Sequence, residues 1–289
     1  MNESRSSATA IGSAAAAALI GPLTDLVVRA GAAILAVNRA AMRIDGKRDG
    51  SPVTEADLAA DRIIAEGLAR LAPGIPALSE ERVDVIKPPY EGSLFLIDPL
   101  DGTKEFVAGR SEFTVNLALV SNGTPLLGII GAPALGLIWR GLVGRGAERL
   151  TTTNLSIGAA EPIHTRPLPK GGDPWIVAVS RSHGDARSEA FIDAKPGAVR
   201  KQLGSAVKFG FVAEGGADIY PRLAPTSEWD VAAGHAVVTA GGGKVTDAQG
   251  APLKFGERRE GFIVPEFIAW GDPEALYSSS WPGMTSSGV

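Results

Sequence analysis

The sequence predicts a layered α/β sandwich of the α+β kind, with helices alternating with strands that mostly meander. Three observations carry that expectation. Leu23, Leu26, Val27, Ala30 and Ile34 recur at helical spacing, and a second helical pattern follows Thr54. Phe113 to Leu142 breaks into three short apolar runs, which suits a β-meander. From Trp175 onward, strand-like and helix-like stretches alternate.

Bulk properties set the limits. At 289 residues and 45% hydrophobic composition, the chain can bury a core unaided, as one two-lobed domain or two small ones. Cysteine is absent, which excludes a disulfide framework, a thiolate zinc site and a cysteine nucleophile, and is compatible with a reducing cytoplasm. The formal net charge of −4 and the lack of a long Lys/Arg run argue against a nucleic-acid partner.

Taken in order, residues 1–20 are expected to be a flexible tail. Ala8 to Ile20 could mimic a secretory signal, but only Arg5 precedes it, offset by Glu3, so the positive leading region is missing. A helix is expected from about Thr24 to Ala41, then a charged, Gly-containing turn from Asp45 to Ser51. No stretch reads as the roughly 18–20 charge-free apolar residues that a membrane span needs. The second helix starts at Thr54, with Asp57 placed to complete a capping box, and Pro73, Gly74 and Pro76 end it. Strands are expected at Ile75–Leu78, Leu94–Ile97, Phe113–Val120, Pro125–Ile130 and Leu137–Leu142. Asn154 to Gly172 reads as a surface connection between lobes of about 21–160 and 161–277. Beyond it come a strand at Trp175–Val179, helices at Val207–Glu214 and Val231–Thr239 around a strand at Ala217–Tyr220, and a glycine turn into Lys244–Thr246. The Ser/Gly-rich residues 278–289 are expected to be disordered.

The chemistry centres on Asp98-Pro-Leu-Asp101-Gly102-Thr103. A buried strand delivers two carboxylates, three residues apart, to a tight loop, where they repel unless a cation lies between them. Gly102 lets backbone approach a ligand, Thr103 offers a hydroxyl, and a helical turn begun by Lys104 would aim free N–H groups at an anion. A phosphate ester with Mg²⁺ satisfies both halves. The same loop could simply make Asx-turns and a helix cap. Glu80 and Glu81 after a short strand, and Asp230 at a helix start, shift the balance toward a hard-cation site with oxygen ligands. Asp57 alone is as well read as a helix-start anion.

Thr54-Glu-Ala-Asp57, Ser79-Glu80-Glu81, Asp98-Pro-Leu-Asp101-Gly-Thr103 and Trp229-Asp230-Val-Ala-Ala-Gly234 together resemble the inositol monophosphatase superfamily, over roughly residues 20–265. That resemblance implies a five-layer αβαβα sandwich of the sugar-phosphatase type and a Mg²⁺-dependent phosphatase. Lys104-Glu105-Phe106, Ser180-Arg-Ser-His183, Gly204-Ser205-Ala-Val-Lys208-Phe209 and Tyr220-Pro-Arg222 resemble the superfamily's 3′(2′),5′-bisphosphate nucleotidase branch. Singly, His183 reads equally as a loop residue, Lys208 as a helix charge and Arg222 as an ion-pair partner. Glu260-Gly-Phe-Ile-Val-Pro265, Ala206 and Val207 depart from that branch's usual pattern.

Carried over by resemblance, Glu80, Asp98 and the Leu100 carbonyl hold a first Mg²⁺, and Asp98, Asp101 and Asp230 a second. Thr103 and Asp57 orient and activate the attacking water, with Glu81 or a third ion assisting. Gly102, Thr103, Lys104, Asp230, Ser205, Lys208 and Arg222 contact the substrate, with His183 beside the adenosine. The implied substrate is adenosine 3′,5′-bisphosphate, cleaved to AMP and phosphate, with the sulfated nucleotide as a second candidate. The implied enzyme is cytoplasmic and lithium-sensitive, and a homodimer is compatible with the family. The rivals are an inositol or sugar phosphate phosphatase, which shares the metal ligands, and an inactive scaffold. Gly241-Gly-Gly-Lys244 is no P-loop, because Val238 stands where that motif begins with glycine. His164, His183 and His235 lack zinc spacing, and His235 reads as a packed core residue.

Overall fold

A computed structural model describes residues 10–42, 44–46, 52–85, 92–153, 155–182, 184–256 and 261–277. His183, Asn154, residues 1–9 of the expected N-terminal tail and the whole of the expected C-terminal tail lie outside the described residues, as does much of the Asp45–Ser51 turn.

The first helix, α1 (Ser13–Ala36), begins and ends earlier than the sequence pattern suggests. Residues 13–20 are therefore helical rather than tail, because the alanine run from Ala14 to Ala18 is the strongest helix former available. The helix stops where Val37 turns extended. By length and composition α1 could also cross a bilayer, contrary to the expectation above. In the fold, however, Leu23, Leu26, Val27, Ala30 and Ile34 are buried against the protein. A hairpin of β1 (Ile44–Gly46) and β2 (Pro52–Thr54) leads into α2 (Glu55–Leu71). The Thr54/Asp57 capping box predicted for α2 is present.

The first sheet contains β3 (Ala77–Ser79), β4 (Ser93–Asp101), β5 (Thr114–Ser121), β6 (Thr124–Ala132), β7 (Leu137–Leu142), β8 (Gly146–Thr153), β9 (Ser156–Ile157) and β10 (Glu161–Ile163). Its order is β10-β8-β7-β6-β5-β4-β3, with β9 against β8. All pairs are antiparallel except β3 with β4. A one-turn helix, α3 (Thr103–Val107), separates β4 from β5. The expected connection after Thr153 is partly strand, since β9 and β10 extend this sheet. The second sheet runs β12-β11-β13-β17-β15, from β11 (Ile176–Ser180), β12 (Val199–Leu203), β13 (Ile219–Arg222), β15 (Lys244–Thr246) and β17 (Phe267–Trp270). A small pair, β14 (Thr226–Ser227) with β16 (Ile263–Val264), sits beside it. The helices here are α4 (Ala186–Asp193), α5 (Val207–Ala213) and α6 (Glu228–Ala240).

Side-chain alternation sets the layers. Phe95 and Ile97 of β4 join Leu26, Ile34, Ile64 and Leu68 of α1 and α2, while Leu94 and Leu96 join Phe209, Val237 and Tyr220 on the other side. Buried on both faces, β4 has no polar alternation to show. The outer face of the second sheet packs Trp175, Ile219 and Trp270 with Ile192 of α4. The order is thus α1/α2, sheet, α5/α6, sheet, α4, the αβαβα sandwich. Close approach depends on missing side chains: a Cβ on Gly128 of β6 would lie 2.2 Å from the Ala233 carbonyl oxygen of α6.

His235 of α6 is buried edge-on to Phe255, with ring centroids 5.6 Å apart. Its Nδ1 has no hydrogen-bond partner among the described residues, and burial pushes its pKa down to about 4. The folded state therefore binds fewer protons here than the unfolded state. Its stabilising effect is complete above the unfolded pKa of about 6.5 and is lost as pH falls toward about 4, by about 3 kcal/mol at the acid end. His235→Gln should flatten the melting-temperature profile between these limits relative to the unmodified protein. Parallel profiles would refute this account.

Candidate active site

Residue spacing along β4 should send Asp98 and Asp101 to opposite faces, since side chains alternate. The register prevents this. Asp98 pairs with Asn116 and Asp101 with Thr114, so β4 carries one residue more than β5 over this interval. That bulge, at Pro99-Leu100, turns both carboxylates toward one cavity. The Leu100 N–H closes the loop onto Asp98 Oδ1 at 3.0 Å. Asp101 Oδ2 accepts from the Asn116 amide at 3.3 Å and the Thr114 hydroxyl at 3.4 Å.

Parallel pairing of β3 with β4 sets Ser79 beside Ile97 and brings Glu80 alongside Asp98. Behind Glu80, Asp61 accepts from the Ser79 hydroxyl at 2.6 Å and pairs with Arg82 at 2.9 Å. Asp230 arrives from the first turn of α6, where it completes a capping box with Ser227 and accepts from the Thr226 hydroxyl. Ligand oxygens of Glu80, Asp98 and Asp230 lie within 4.8 Å of one another. Burial, followed by the nearby Glu80, Asp101, Asp230 and Asp57, pushes the Asp98 pKa well above the usual carboxylate range. Burial and Asp230 raise Asp101 to about 6, against the opposing pull of Lys208.

Such crowding fits a divalent cation. The donors are hard oxygens from three separate elements, and their mutual repulsion is what a bound cation relieves. Glu80, Asp98 and Asp230 would hold it, with Asp101 and Leu100 lining the same cavity. Divalent cations there would offset charge on phosphoryl oxygens and make water a better nucleophile.

Glu80, Asp98, Leu100, Asp101, Gly102, Thr103, Lys104, Ser205, Lys208, Arg222 and Asp230 line this one cavity of about 210 Å³. Asp57 lies one step behind it and is buried. Its Oδ1 accepts from the Thr103 hydroxyl at 3.0 Å, while its Oδ2 accepts from the Thr54 N–H at 2.8 Å and hydroxyl at 2.7 Å. Asp57 is thus both the helix-start anion and the partner of Thr103. Glu81 is not among the lining residues, because the short helical turn from Glu80 to Val85 starts by sending Glu80 inward.

Cationic side chains line the same cavity. Lys208 is buried, donates to the Ser205 carbonyl at 2.6 Å and lies 5.1 Å from the centre of the Tyr220 ring. Burial lowers its pKa to about 8. Arg222 donates to the Pro225 carbonyl at 3.3 Å. Gly102 has φ +91°, and a Cβ there would lie 2.1 Å from Ser205 Oγ, so only glycine fits this close approach to the Ser205 turn. Sequence reasoning named Glu105 and Tyr220 only as parts of motifs and missed Thr226 and Phe267, all of which line the cavity, and Asn116, which orients Asp101. Alternating apolar neighbours on β5 gave Asn116 a buried position, and a buried amide on a strand was the available signal.

Comparison with known proteins supports the fold and identifies the family. The inositol monophosphatase family pattern matches residues 17–279. The protein is 39% identical to the 3′(2′),5′-bisphosphate nucleotidase CysQ of Escherichia coli O157:H7 over 257 residues, 86% of this chain and 98% of the relative. With the Salmonella typhimurium enzyme of the same name the identity is 40% over 256 residues, at the same coverage of both chains. The crystal structure of CysQ from Bacteroides thetaiotaomicron, a bacterial member of the inositol monophosphatase family, superposes with a TM-score of 0.71 and 34% identity, covering 87% of this chain and 96% of that one. With its carboxylate cavity between two sheets and family likeness along nearly its whole length, the chain belongs to the inositol monophosphatase family and is a phosphatase.

Proposed function

We propose that the protein is a Mg²⁺-dependent 3′(2′),5′-bisphosphate nucleotidase acting on adenosine 3′,5′-bisphosphate. The observation that carries this reading is the pair Lys208 and Arg222 in the same cavity as the carboxylate cluster. A substrate with one phosphate needs only the carboxylate side. A second phosphate, retained in the product, gives the ammonium and guanidinium groups an anion to bind. The names of the relatives support the same substrate class.

On this reading the phosphate to be removed sits by Asp98, Asp101 and Thr103, with Mg²⁺ at Glu80, Asp98, Asp101 and Asp230. Thr103 donates its proton to Asp57 and accepts a hydrogen bond from the attacking water, so the hydroxyl and carboxylate together orient that water and accept its proton. Ser205 and Lys208 face the retained phosphate and ribose. The nearby Lys104 is exposed at the cavity mouth and adds positive charge to the approach.

Phosphate release from adenosine 3′,5′-bisphosphate, inositol 1-phosphate and fructose 1,6-bisphosphate, with Mg²⁺ and with EDTA, tests the proposal. Mg²⁺-dependent release should favour the nucleotide by at least about tenfold in kcat/KM. Preference for the inositol or sugar ester would replace the substrate assignment and leave the phosphatase.

A further inference from the structure

We propose that Glu112 is a positioning residue that sets nucleotide affinity by fixing the turn carrying Ser205 and Lys208 against the carboxylate loop. Glu112 lies between α3 and β5 in the first lobe, yet its contacts reach into the second. Its carboxylate accepts from the Gly204 N–H at 2.7 Å and from both terminal nitrogens of Arg181, with Nη2 at 3.2 Å. Its backbone carbonyl lies 3.0 Å from the Ser205 hydroxyl, which also lies 2.9 Å from the Asp101 carbonyl. A Cβ on Gly204 would come within 2.5 Å of the Glu112 carbonyl oxygen, so the two backbones touch.

The turn held this way is a strained one. Ser205 has φ +46°, a left-handed conformation that costs a non-glycine residue stability and persists where its surroundings impose it. Lys208 donates to the carbonyl of that same Ser205, so a shift of the turn moves the ammonium with it. Glu105 of α3 makes a second crossing, its carboxylate accepting from the Ser182 hydroxyl. Glu112 does not line the cavity. It acts through Gly204 and Ser205, and displacement of a binding group by about 1 Å is enough to weaken its contact severely.

This inference rests on the nucleotide reading, because Lys208 is taken to meet the retained phosphate. The experiment separates the two. Glu112→Ala should lower the preference for adenosine 3′,5′-bisphosphate over inositol 1-phosphate about tenfold, mainly through KM for the bisphosphate. Glu112→Gln, which keeps an acceptor for Gly204 but loses the charge facing Arg181, should give a smaller change in the same direction. It also serves if the alanine variant does not fold. An equal loss on both substrates, or no change, would overturn the positioning role. If the unmodified protein does not cleave the bisphosphate, the functional reading falls, and calorimetric affinity for AMP decides the inference instead. About tenfold weaker AMP binding by the variants upholds it, whereas unchanged affinity, or no AMP binding by the unmodified protein, rejects it.

Discussion

Asp101→Asn is expected to lower phosphatase turnover by about a thousandfold while leaving the fold intact. The asparagine keeps the shape of the side chain and can still accept from Thr114 and Asn116, which now hold Asp101 Oδ2. What it removes is one of the charges crowded at the cavity. In the cation-free protein that charge is a cost: burial and Asp230 lift the Asp101 pKa to about 6, so ionising it at neutral pH destabilises the folded state. The cost is relieved as pH falls through about 6. In EDTA at pH 7.5 the variant should therefore melt no lower than the unmodified protein, and it should gain less from added Mg²⁺. Thermal melts with and without Mg²⁺, alongside turnover, give both halves. Near-normal turnover, or an undiminished Mg²⁺ stabilisation, would refute the place assigned to Asp101.

Thr103→Val comes next in size, with kcat expected to fall about a hundredfold or more and KM to change little. Valine fills the same space but cannot pass a proton to Asp57, 3.0 Å away, or donate to the Leu100 carbonyl at 3.2 Å. Asp57→Ala should match that kinetic loss and add a structural one, because it also removes the acceptor for the Thr54 N–H. Asp57 also completes the α2 capping box with Thr54, a contact worth about 1 kcal/mol. The pair of variants therefore separates the two jobs of one carboxylate. A Thr103→Val protein with unaltered kcat would remove the hydroxyl from the mechanism.

Much of the fold was readable because local chemistry and final structure agree. The strand Leu137–Leu142 has the bounds its alternation suggests, and Thr54 caps α2 as its spacing from Asp57 requires. Where local signals were weak, elements were missed. The strand β12 at the sheet edge is Val-Arg-Lys-Gln-Leu, with only Leu203 buried, so its polar residues hide the alternation. Helix α4 is short and largely solvated, with Ser188 and Ile192 as its buried residues. The alanines before Leu19 looked like tail because they lack the large apolar residues that mark a buried face, although they favour helix most strongly.

The sequence by itself determined the chemical character of the site: carboxylates at the ends of strands and helices, a glycine and a hydroxyl among them, and Lys208 and Arg222 further along. These are properties of residue type and local spacing. Only the tertiary structure decided which of them meet. Glu80 reaches Asp98 through the parallel pairing of β3 with β4, and Asp230 joins them because α6 packs between the sheets. A single bulge turns Asp98 and Asp101 to the same side. Glu112 had no visible role until Gly204, 92 residues away, was found against its carboxylate. Contacts between residues distant in the chain depend on how whole layers stack, and no local pattern encodes that.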